Sequence, residues 1–393
     1  MDKKNAAIGL VLEGTYPTEI GGISTWCHHL ITHAPARDFV LIRVGDDLPP
    51  EAAWPYKRPR NLRRVQAIKP PVSLHPRVLS RWAASARVDL TGVSALHAVG
   101  AGLAGVLARS SELPWVLNEH ASYVRELELG NRFIETGMYI DAADPVALFR
   151  GIEVELRRAA TCTTCLDAST AAAHRADESR RTLVIPNGTP AREQVIPPRR
   201  DRPRAIYLGR LHPLKGTDLL LDAVRELDPA ELELELYGPL QGDRCWRDAL
   251  ARDLERCAHN TTWFGPTRED IFAARTPDIL VLASRSEAQP LAIMEAMMAG
   301  VAVIAPDVGD IRRMLAIGSE RPCGVIFPAG DTDALREALL QLARAPGSRA
   351  ALARAGRQRA LEHYASEAVS ARYEALYQEL EEAGADLDQA ATA

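Results

Sequence analysis

The sequence predicts an α/β protein with two domains, each built around a parallel β-sheet. Short apolar runs alternate with stretches of helical spacing from residue 6 to residue 327, which is the pattern of repeated strand–helix–strand units. The 393 residues suffice for two domains of about 150–200 residues each. A stretch rich in Pro and Arg at 190–203 interrupts the alternation, as an interdomain linker does.

The predicted strands are short apolar runs, typical of strands that are buried on both faces of a parallel sheet. In the first half they are 6–12, 39–44, 95–98, 115–118, 161–165 and 183–185. In the second half they are 205–208, 232–237, 262–264, 279–283 and 301–305, and 325–327 closes the second sheet. After residue 359 the chain is helical, with one apolar face formed by Tyr373, Leu376, Tyr377 and Leu380.

Composition and charge narrow the class of protein. The hydrophobic content of 47% and the charged content of 25% are ordinary for a soluble globular protein, and the net charge of −5 argues against a general nucleic-acid binder. The apolar run 6–12 ends at Glu13 without a cleavage-like site, so we expect a strand there and not a signal peptide. No run approaches the roughly 18 apolar residues of a membrane span. We therefore expect a cytoplasmic protein.

The six cysteines are scattered along the chain, which does not suggest a disulfide framework. Cys162 and Cys165 have the spacing of a redox motif, but they lie in an alternating, strand-like run. No second Cys pair completes a zinc site. We expect both to be buried structural cysteines.

Residues 284–300 are the most informative segment of the chain. They lie between two predicted strands, 279–283 and 301–305, and consist of a polar turn followed by a helix that begins near Pro290. The first backbone amides of such a helix, those of Leu291 and Ala292, are free and carry the positive end of the helix dipole. They are suited to a phosphate group.

Two acids flank the start of this helix, Glu287 in the turn and Glu295 inside the helix. Seven residues separate them, so they can reach two parts of one ligand. Carboxylates repel phosphate but accept hydrogen bonds from hydroxyl groups. The segment therefore indicates a site for a ligand that contains both phosphate and sugar.

Further candidates share a position with this segment, because each follows the carboxyl end of a predicted strand. Ligands of open α/β sheets bind in the crevice outside those ends. The candidates are Gly21, Gly22, His120, Arg210, Lys215, Gly238 and Glu287. Gly21-Gly22 does not have the Gly-x-Gly-x-x-Gly spacing of a dinucleotide site, which argues against a nicotinamide enzyme. Taken alone, the two glycines are equally typical of a plain loop. Surface cations such as Arg210 and Lys215, taken alone, are usually solvated.

These segments occur in the order of a known enzyme family. Glu-Gly-Thr-Tyr-Pro at 13–17 and Gly-Gly-Ile-Ser-Thr-Trp at 21–26 follow the first strand, and Asn-Glu-His at 118–120 follows a later one. Val-Ile-Pro-Asn-Gly at 184–188 stands at the domain junction, and Leu-Gly-Arg-Leu-His-Pro-Leu-Lys-Gly at 208–216 opens the second half. With Glu-x7-Glu, the chain resembles the family 4 retaining glycosyltransferases of the GT-B fold. The sequences of these motifs are most similar to those of cytosolic members that serve exopolysaccharide systems of the Pel type.

The resemblance implies two Rossmann-like parallel-sheet domains facing each other across a cleft. The N-terminal, acceptor-side domain would be 1–189, with a C-terminal helix at 366–393 packing back on it. The nucleotide-sugar domain would be 190–365. The implied reaction transfers a hexose from a nucleotide diphosphate sugar, UDP-glucose or another UDP-hexose first, to a hydroxyl acceptor with retention of configuration.

The resemblance also assigns roles to the candidates. Arg210 and Lys215 would stabilise the leaving diphosphate, and His120 would contact the donor sugar. Glu287 would bind sugar hydroxyls and Glu295 the ribose. The other donor-binding positions would be Gly21, Gly22, Gly238, Thr267, Gln289, Pro290, Leu291 and Ala292. Weaker acceptor-side candidates are Glu13, Glu119 and Tyr123.

No cofactor and no metal are expected. Asp331-Thr-Asp333 has the Asp-x-Asp spacing of metal-dependent transferases, but it opens a predicted helix, where acids favour the N-terminus. Three alternatives remain open: a GDP-mannose-dependent mannosyltransferase, a nucleotide-sugar epimerase of the same fold, and a non-catalytic nucleotide-sugar-binding subunit of a polysaccharide assembly. The epimerase is disfavoured by the Arg210, Lys215 and Glu-x7-Glu set.

Residues 52–88 form a basic segment with nine Lys or Arg and no Asp or Glu. One interpretation is a solvated face with a Pro-rich loop. The other is peripheral docking to an anionic membrane or to an assembly partner, since each basic residue near such a surface contributes about 1 kcal/mol. The acceptor is unknown, and no nucleic-acid partner is expected.

Overall fold

The computed structural model describes residues 6–13, 16–19, 22–71, 76–99, 102–118, 145–167, 170–172, 181–194, 202–267 and 269–392. The chain divides into two compact units. The first comprises residues 1–188 together with 366–393, and the second comprises residues 189–365.

The strands and helices alternate along the chain. In order they are β1 (Ala7–Glu13), α1 (Gly22–Thr32), β2 (Phe39–Val44), β3 (Leu62–Ile68), α2 (Pro76–Ser85), β4 (Val93–Val99), α3 (Leu103–Arg109), β5 (Trp115–Asn118), α4 (Pro145–Ala159), β6 (Cys162–Cys165), β7 (Thr182–Val184), β8 (Arg204–Leu208), α5 (Thr217–Val224), β9 (Glu233–Tyr237), α6 (Arg244–Arg256), β10 (Thr261–Gly265), α7 (Ile271–Arg275), β11 (Ile279–Val281), α8 (Leu291–Ala299), β12 (Ala302–Pro306), α9 (Ile311–Met314), β13 (Val325–Phe327), α10 (Thr332–Arg344), α11 (Pro346–His363) and α12 (Ser366–Thr392). Short 3-10 turns occupy Glu51–Ala53 and Pro213–Lys215.

The first unit contains a seven-stranded sheet in the order β3-β2-β1-β4-β5-β6-β7. Every pair of neighbours is parallel. The central strand β1 is buried along its whole length, which explains its apolar sequence up to Glu13. Cys162 and Cys165 are buried in β6, and burial raises the pKa of the Cys162 thiol to about 11. The expectation that both cysteines are buried is confirmed.

Strand β3 is absent from the sequence-based prediction, which treated this region as part of a basic, Pro-rich loop. Residues 62–68 pair in parallel with β2 and form an edge of the sheet. An edge strand has one side exposed, so it tolerates polar residues such as Arg63, Arg64 and Gln66, and these hide its period. The basic segment 52–88 is therefore partly an edge strand and partly helix α2.

Helix α12 belongs to the first unit. Its apolar face is buried there, and two of its tyrosines carry polar contacts into the sheet. The Tyr377 hydroxyl lies 2.7 Å from Nδ1 of His97, and Asn118 Nδ2 donates to the Tyr373 hydroxyl at 2.9 Å. The Arg37 guanidinium adds ion pairs of 2.6 Å to each of Glu374 and Glu381.

The second unit contains a six-stranded sheet in the order β10-β9-β8-β11-β12-β13. All of its pairs are parallel. Strand β8 lies between β9 and β11, so the order of winding reverses at β8. The loops after β8 and β11 consequently meet outside the carboxyl ends of the strands, which is where such sheets bind ligands.

The predicted α/β class with two parallel-sheet, Rossmann-like domains is confirmed. Among the helices within the described ranges, none combines the length and the hydropathy that crossing a membrane requires.

Candidate functional site

The loop after β8 is pressed against the end of β11. It forms the 3-10 turn Pro213–Lys215, in which Nδ1 of His212 accepts a hydrogen bond from the Leu214 amide at 3.2 Å. Gly216 ends the turn with a φ of 61°, and a Cβ atom there would lie 1.9 Å from the carbonyl oxygen of Ala283. Only glycine permits both this conformation and this approach. The turn therefore places Lys215 beside the loop that follows β11.

Lys215 and Glu287 are in direct contact. Nζ of Lys215 lies 2.7 Å from Oε1 of Glu287, and Oγ of Ser284 donates to the same oxygen at 2.7 Å. The Glu287 side chain is 10% exposed and that of Lys215 is 25% exposed. A carboxylate held by an ammonium and a hydroxyl, yet still reached by solvent, has a fixed direction from which it can accept a ligand hydroxyl.

Arg285 fastens these two loops to each other. Its amide donates to the carbonyl of Leu214 at 2.9 Å. Its guanidinium forms two bonds to the Asp218 carboxylate, at 2.9 and 2.7 Å, and one to the carbonyl of Pro213 at 2.5 Å. The bidentate geometry fixes orientation as well as distance, so the Lys215–Glu287 contact is supported from the outer side.

Helix α8 begins immediately after this turn, with Pro290 as its N-cap residue. Within the described part of the chain, no side chain caps its first turn. The amides of Leu291 and Ala292 thus remain at the positive end of the helix dipole, where an anion is stabilised. An uncapped helix start, an ammonium and a carboxylate therefore share one edge of the second sheet.

Glu295 is partly exposed on α8. Burial raises the pKa of its carboxyl to about 7, against a lowering by Arg192 and with a smaller rise from Asp270. Arg192 is itself paired with Asp270 at 2.9 Å. Among the described residues the Glu295 carboxyl has no hydrogen-bond partner. Near neutral pH it can therefore donate to or accept from a ligand hydroxyl.

Arg210 points to the neighbouring loop. Its side chain is exposed, and NH1 donates to Oε1 of Gln241 at 3.3 Å. Its carbonyl accepts from the Tyr207 hydroxyl at 2.7 Å. Among the described residues Arg210 forms no hydrogen bond or ion pair with Lys215 or Glu287.

The pKa of the buried Tyr207 hydroxyl is shifted by both Glu287 and Arg210. Burial raises the pKa of the Tyr207 hydroxyl, Glu287 raises it further, and Arg210 lowers it. Both side chains thus act on one buried phenol.

Gly238 marks a close approach between backbones. Its φ is 144°, and a Cβ atom would lie 1.8 Å from the carbonyl oxygen of Gly209. Its amide donates to the carbonyl of Gly265 at 2.9 Å, so the ends of β8, β9 and β10 meet here. The Thr267 hydroxyl accepts from the Glu269 amide at 3.1 Å, which occupies it within a local turn.

Gln289 has a different orientation from the one expected of a ligand-binding side chain. It is 4% exposed, and its Nε2 donates to Oδ2 of Asp310 at 2.6 Å. The side chain therefore faces the loop after β12. The binding of the donor substrate at Gln289 stays a prediction, and it concerns the backbone of this residue more than its side-chain amide.

In the first unit, Gly22 begins α1 and is exposed, with open space where a Cβ atom would lie. Glu13 is buried, and its Oε1 accepts from the Ala104 amide at 3.0 Å in the first turn of α3. That contact explains a carboxylate at the end of β1 as a helix cap. Its acceptor role stays a prediction. The remaining candidates of this unit lie outside the described residues: Gly21, Glu119, His120 and Tyr123.

Asp331 caps a helix. Its Oδ1 accepts from the Ala334 amide at 2.9 Å, and Asp333 pairs with Arg336 at 2.6 Å. Within the described ranges, no three His, Cys, Asp or Glu side chains converge. The two acids have these local partners, as the interpretation as a helix start predicts.

Four supporting residues were not found by sequence reasoning: Tyr207, Gln241, Ser284 and Asp310. Ser284 lies in the same turn as Glu287, three residues before it, and this proximity was a usable signal. The other three act across neighbouring strands and loops, so their roles depend on strand order.

Comparison with known families gives two matches in separate parts of the chain. Residues 202–345 match the family described as glycosyl transferases group 1. Residues 6–81 match a family described as a domain of unknown function. The first match lies within the second unit and contains Lys215, Glu287 and Glu295.

Curated proteins of similar sequence include D-inositol 3-phosphate glycosyltransferases. That of Geodermatophilus obscurus is 29% identical over 169 residues, which cover 37% of this chain and 37% of the relative. The match therefore spans little more than a third of that relative's length. D-inositol 3-phosphate glycosyltransferase 1 of Catenulispora acidiphila is 27% identical over 350 residues, 79% of this chain and 78% of the relative.

Solved structures resemble nearly the whole chain. Sucrose-phosphate synthase from Thermosynechococcus elongatus superposes with a TM-score of 0.73 at 18% identity, covering 96% of this chain and 100% of that one. HepE from Anabaena in complex with UDP-glucose gives 0.69 at 17% identity, covering 95% and 100%. The fold is of the GT-B type. With the match at 202–345, these likenesses support a glycosyltransferase of that fold.

Proposed function

We propose that this protein transfers a hexose from a nucleotide diphosphate sugar to a hydroxyl acceptor with retention of configuration. The observation that carries the proposal is the Lys215–Glu287 contact of 2.7 Å beside the uncapped start of α8. A cation and a helix N-terminus suit a diphosphate, and a carboxylate suits a sugar hydroxyl. All three lie at the edge of the second sheet where its winding reverses.

The leaving diphosphate gains negative charge as the glycosidic bond breaks. Lys215 and the amides of Leu291 and Ala292 stabilise that charge, and Arg210 reaches the same phosphates from the loop after β8. Such preorganised donors are worth about 3–4 kcal/mol each when removed singly. The resemblance to family 4 enzymes favours a front-face reaction, in which an oxygen of the leaving phosphate deprotonates the acceptor and no protein nucleophile is required.

The two glutamates serve different parts of the donor. Glu287, held by Lys215 and Ser284, accepts from hydroxyls of the hexose. Glu295, in the second turn of α8, accepts a hydrogen bond from a ribose hydroxyl. The sugar is thereby oriented while Lys215 remains near the phosphate.

UDP-glucose is the first donor to test. HepE, which shares the fold, has been solved with UDP and with UDP-glucose, and this favours a UDP-hexose. GDP-mannose is the alternative. Acceptor candidates are inositol phosphates and sugar phosphates, because two of the similar proteins are named D-inositol 3-phosphate glycosyltransferase and sucrose-phosphate synthase. The Pel-like wording of the sequence adds oligosaccharides of polysaccharide biosynthesis, in the cytoplasm or at the inner face of the membrane.

The test is a screen of UDP-glucose, UDP-galactose, UDP-N-acetylglucosamine and GDP-mannose for thermal stabilisation and slow hydrolysis. Acceptors are then added to the donor that scores. Lys215→Ala should abolish the stabilisation, whereas Lys57→Ala, at an exposed basic residue of the first unit, should leave it unchanged. Stabilisation without hydrolysis or transfer would indicate a binding subunit. No response to any nucleotide sugar would overturn the proposal.

A further inference from the structure

The side chain of Asp310 has unusual hydrogen-bond partners for a residue at a helix N-cap. It occupies the N-cap position of α9, yet its side chain forms no capping bond to that helix within the described structure. Its carboxylate instead accepts from Gln289 Nε2 at 2.6 Å and from two nitrogens of Arg313, at 2.7 and 2.5 Å. Asp310 is 7% exposed and Gln289 is 4% exposed, so the contact between them is shielded from water.

The backbone around Asp310 reaches the same stretch of chain. Its amide donates to the carbonyl of Ala288 at 3.0 Å. The preceding residue, Gly309, has a φ of 55°, and a Cβ atom there would lie 2.0 Å from the carbonyl oxygen of Glu287. The donor loop, defined as residues 284–292, is therefore bonded to the loop after β12 at Ala288 and Gln289 and closely approached by it at Glu287.

We propose that Asp310 is a positioning residue that sets the donor loop through Gln289. This inference rests on the proposed function, because the loop carries the Glu287 carboxylate and leads into the amides of α8. Gln289 is then a brace between two loops, and its side chain does not bind the donor.

The charge of Asp310 would ordinarily be a disadvantage near an anionic donor. Arg313 offsets it with a bidentate ion pair, in which Nε bonds Oδ1 and NH2 bonds the same Oδ2 that accepts from Gln289. The pair leaves a strong acceptor for the Gln289 amide without presenting a net negative charge to the phosphates. A neutral residue at 310 would lose either the strength of that bond or the bond itself.

Four variants test the assignment with UDP as the probe: Asp310→Ala, Asp310→Asn, Gln289→Ala and the double variant Gln289→Ala/Asp310→Ala. Asp310→Ala and Gln289→Ala should each weaken UDP binding about tenfold, measured by calorimetry well below the melting temperature. Asp310→Asn keeps an acceptor for Gln289 and should retain most of the affinity. The double variant should be no worse than either single one, since both remove the same contact.

Asp307→Ala is the matched control, because Asp307 lies in the same loop and pairs only with the exposed Arg312 among the contacts that the structure describes. It should change UDP affinity by no more than about twofold. If Asp310→Ala does not fold, Gln289→Ala removes the same bond from the other side.

Unchanged UDP affinity in Gln289→Ala, or additive losses in the double variant, would overturn the positioning role. Wild-type protein that binds neither UDP nor any nucleotide sugar would instead overturn the proposed function.

Discussion

Nζ of Lys215 lies 2.7 Å from Oε1 of Glu287, although the two residues are 72 positions apart in the sequence. The contact joins the loop after β8 to the loop after β11, which are neighbours because those strands pair. The ammonium that would meet a diphosphate is thus already partnered by a carboxylate. A donor must share this cation with Glu287, and the two residues should respond to mutation in opposite ways.

The first prediction separates these two residues. Lys215→Ala should weaken UDP binding at least tenfold, because a charge-assisted contact to phosphate is lost and Glu287 is left without its ammonium. Glu287→Ala should leave UDP affinity equal or tighter, because it frees Lys215, while donor turnover falls at least tenfold. Calorimetry with UDP and kinetics with donor check both.

Glu337→Ala, which removes an exposed acid on α10, is the control for a simple change of net charge. Equal weakening of UDP binding in Lys215→Ala and Glu287→Ala would contradict this division of roles. Normal turnover in both would remove the site from the reaction altogether.

The second prediction concerns Gly309. Both Gly309 and Gly330 have positive φ, 55° and 83°, but only Gly309 faces a backbone oxygen within 4 Å. Alanine at either position should cost about 1–2 kcal/mol for the left-handed conformation. Gly309→Ala should cost more and should also lower UDP affinity, because the donor loop must move away from the new Cβ atom. Thermal melting and UDP titration of the two variants decide, and equal effects in both assays would contradict the prediction.

The third prediction is that donor use survives chelation. In the proposal, Arg210, Lys215 and the start of α8 neutralise the charge of the diphosphate. The Asp331 carboxylate accepts from the Ala334 amide, and the Asp333 carboxylate pairs with Arg336. Turnover of the donor in EDTA should match that in Mg²⁺ or Mn²⁺. Complete loss in EDTA that either ion restores would overturn this assignment.

The fourth prediction concerns the basic segment 52–88. Four of its cations pair with acids outside it: Arg58 with Glu51, Arg63 with Asp38, Arg64 with Asp89, and Lys69 with Asp47. Four exposed ones have no ion pair among the described residues: Lys57, Arg60, Arg81 and Arg87. At about 1 kcal/mol each near an anionic surface, these support only weak docking.

We expect salt-sensitive sedimentation with vesicles containing phosphatidylglycerol, none with phosphatidylcholine alone, and loss of binding when all four are replaced by Ser. Equal binding to both vesicle types, or to neither, eliminates lipid docking and leaves the solvated face.

Sequence periodicity located the central strands well because they are buried and apolar. Strands at 39–44 and 115–118 were predicted with the bounds observed. The edge strand β3 was missed because exposure lets it carry Arg63 and Arg64, and these break the apolar run. The pattern of apolar residues therefore indicates which strands are buried more than which residues favour a strand.

The site was predictable in part. Lys215 and Glu287 each follow a strand, so the sequence placed both at one edge, but their contact depends on β8 pairing with β11. Asp310 and Gln289 meet for a similar reason, across the loops after β12 and β11. Glu13 shows the same dependence, because its bond to the Ala104 amide at the start of α3 joins residues 91 positions apart. These are tertiary relationships that local patterns do not encode.

The last prediction uses the pKa of Glu295, which burial raises from 4.5 to about 7. Between those values the folded protein retains a proton that the unfolded chain has lost, so this residue makes stability fall as pH rises through the window. Glu295→Gln is neutral at every pH and lacks that loss. Its melting temperature relative to wild type should therefore rise between about pH 5 and pH 8, by an amount corresponding to roughly 1–3 kcal/mol.

Donor binding should depend on the same proton with the opposite sign. A ribose hydroxyl donates to the ionised carboxylate, so wild-type affinity for UDP-glucose should increase as pH rises through about 7. UDP-glucose is the better probe for this experiment, because the terminal phosphate of UDP itself titrates near pH 6. Glu295→Gln should bind more weakly at pH 8 and show no such rise. An equal pH dependence in both proteins would mean that Glu295 does not meet the ribose, whatever its pKa.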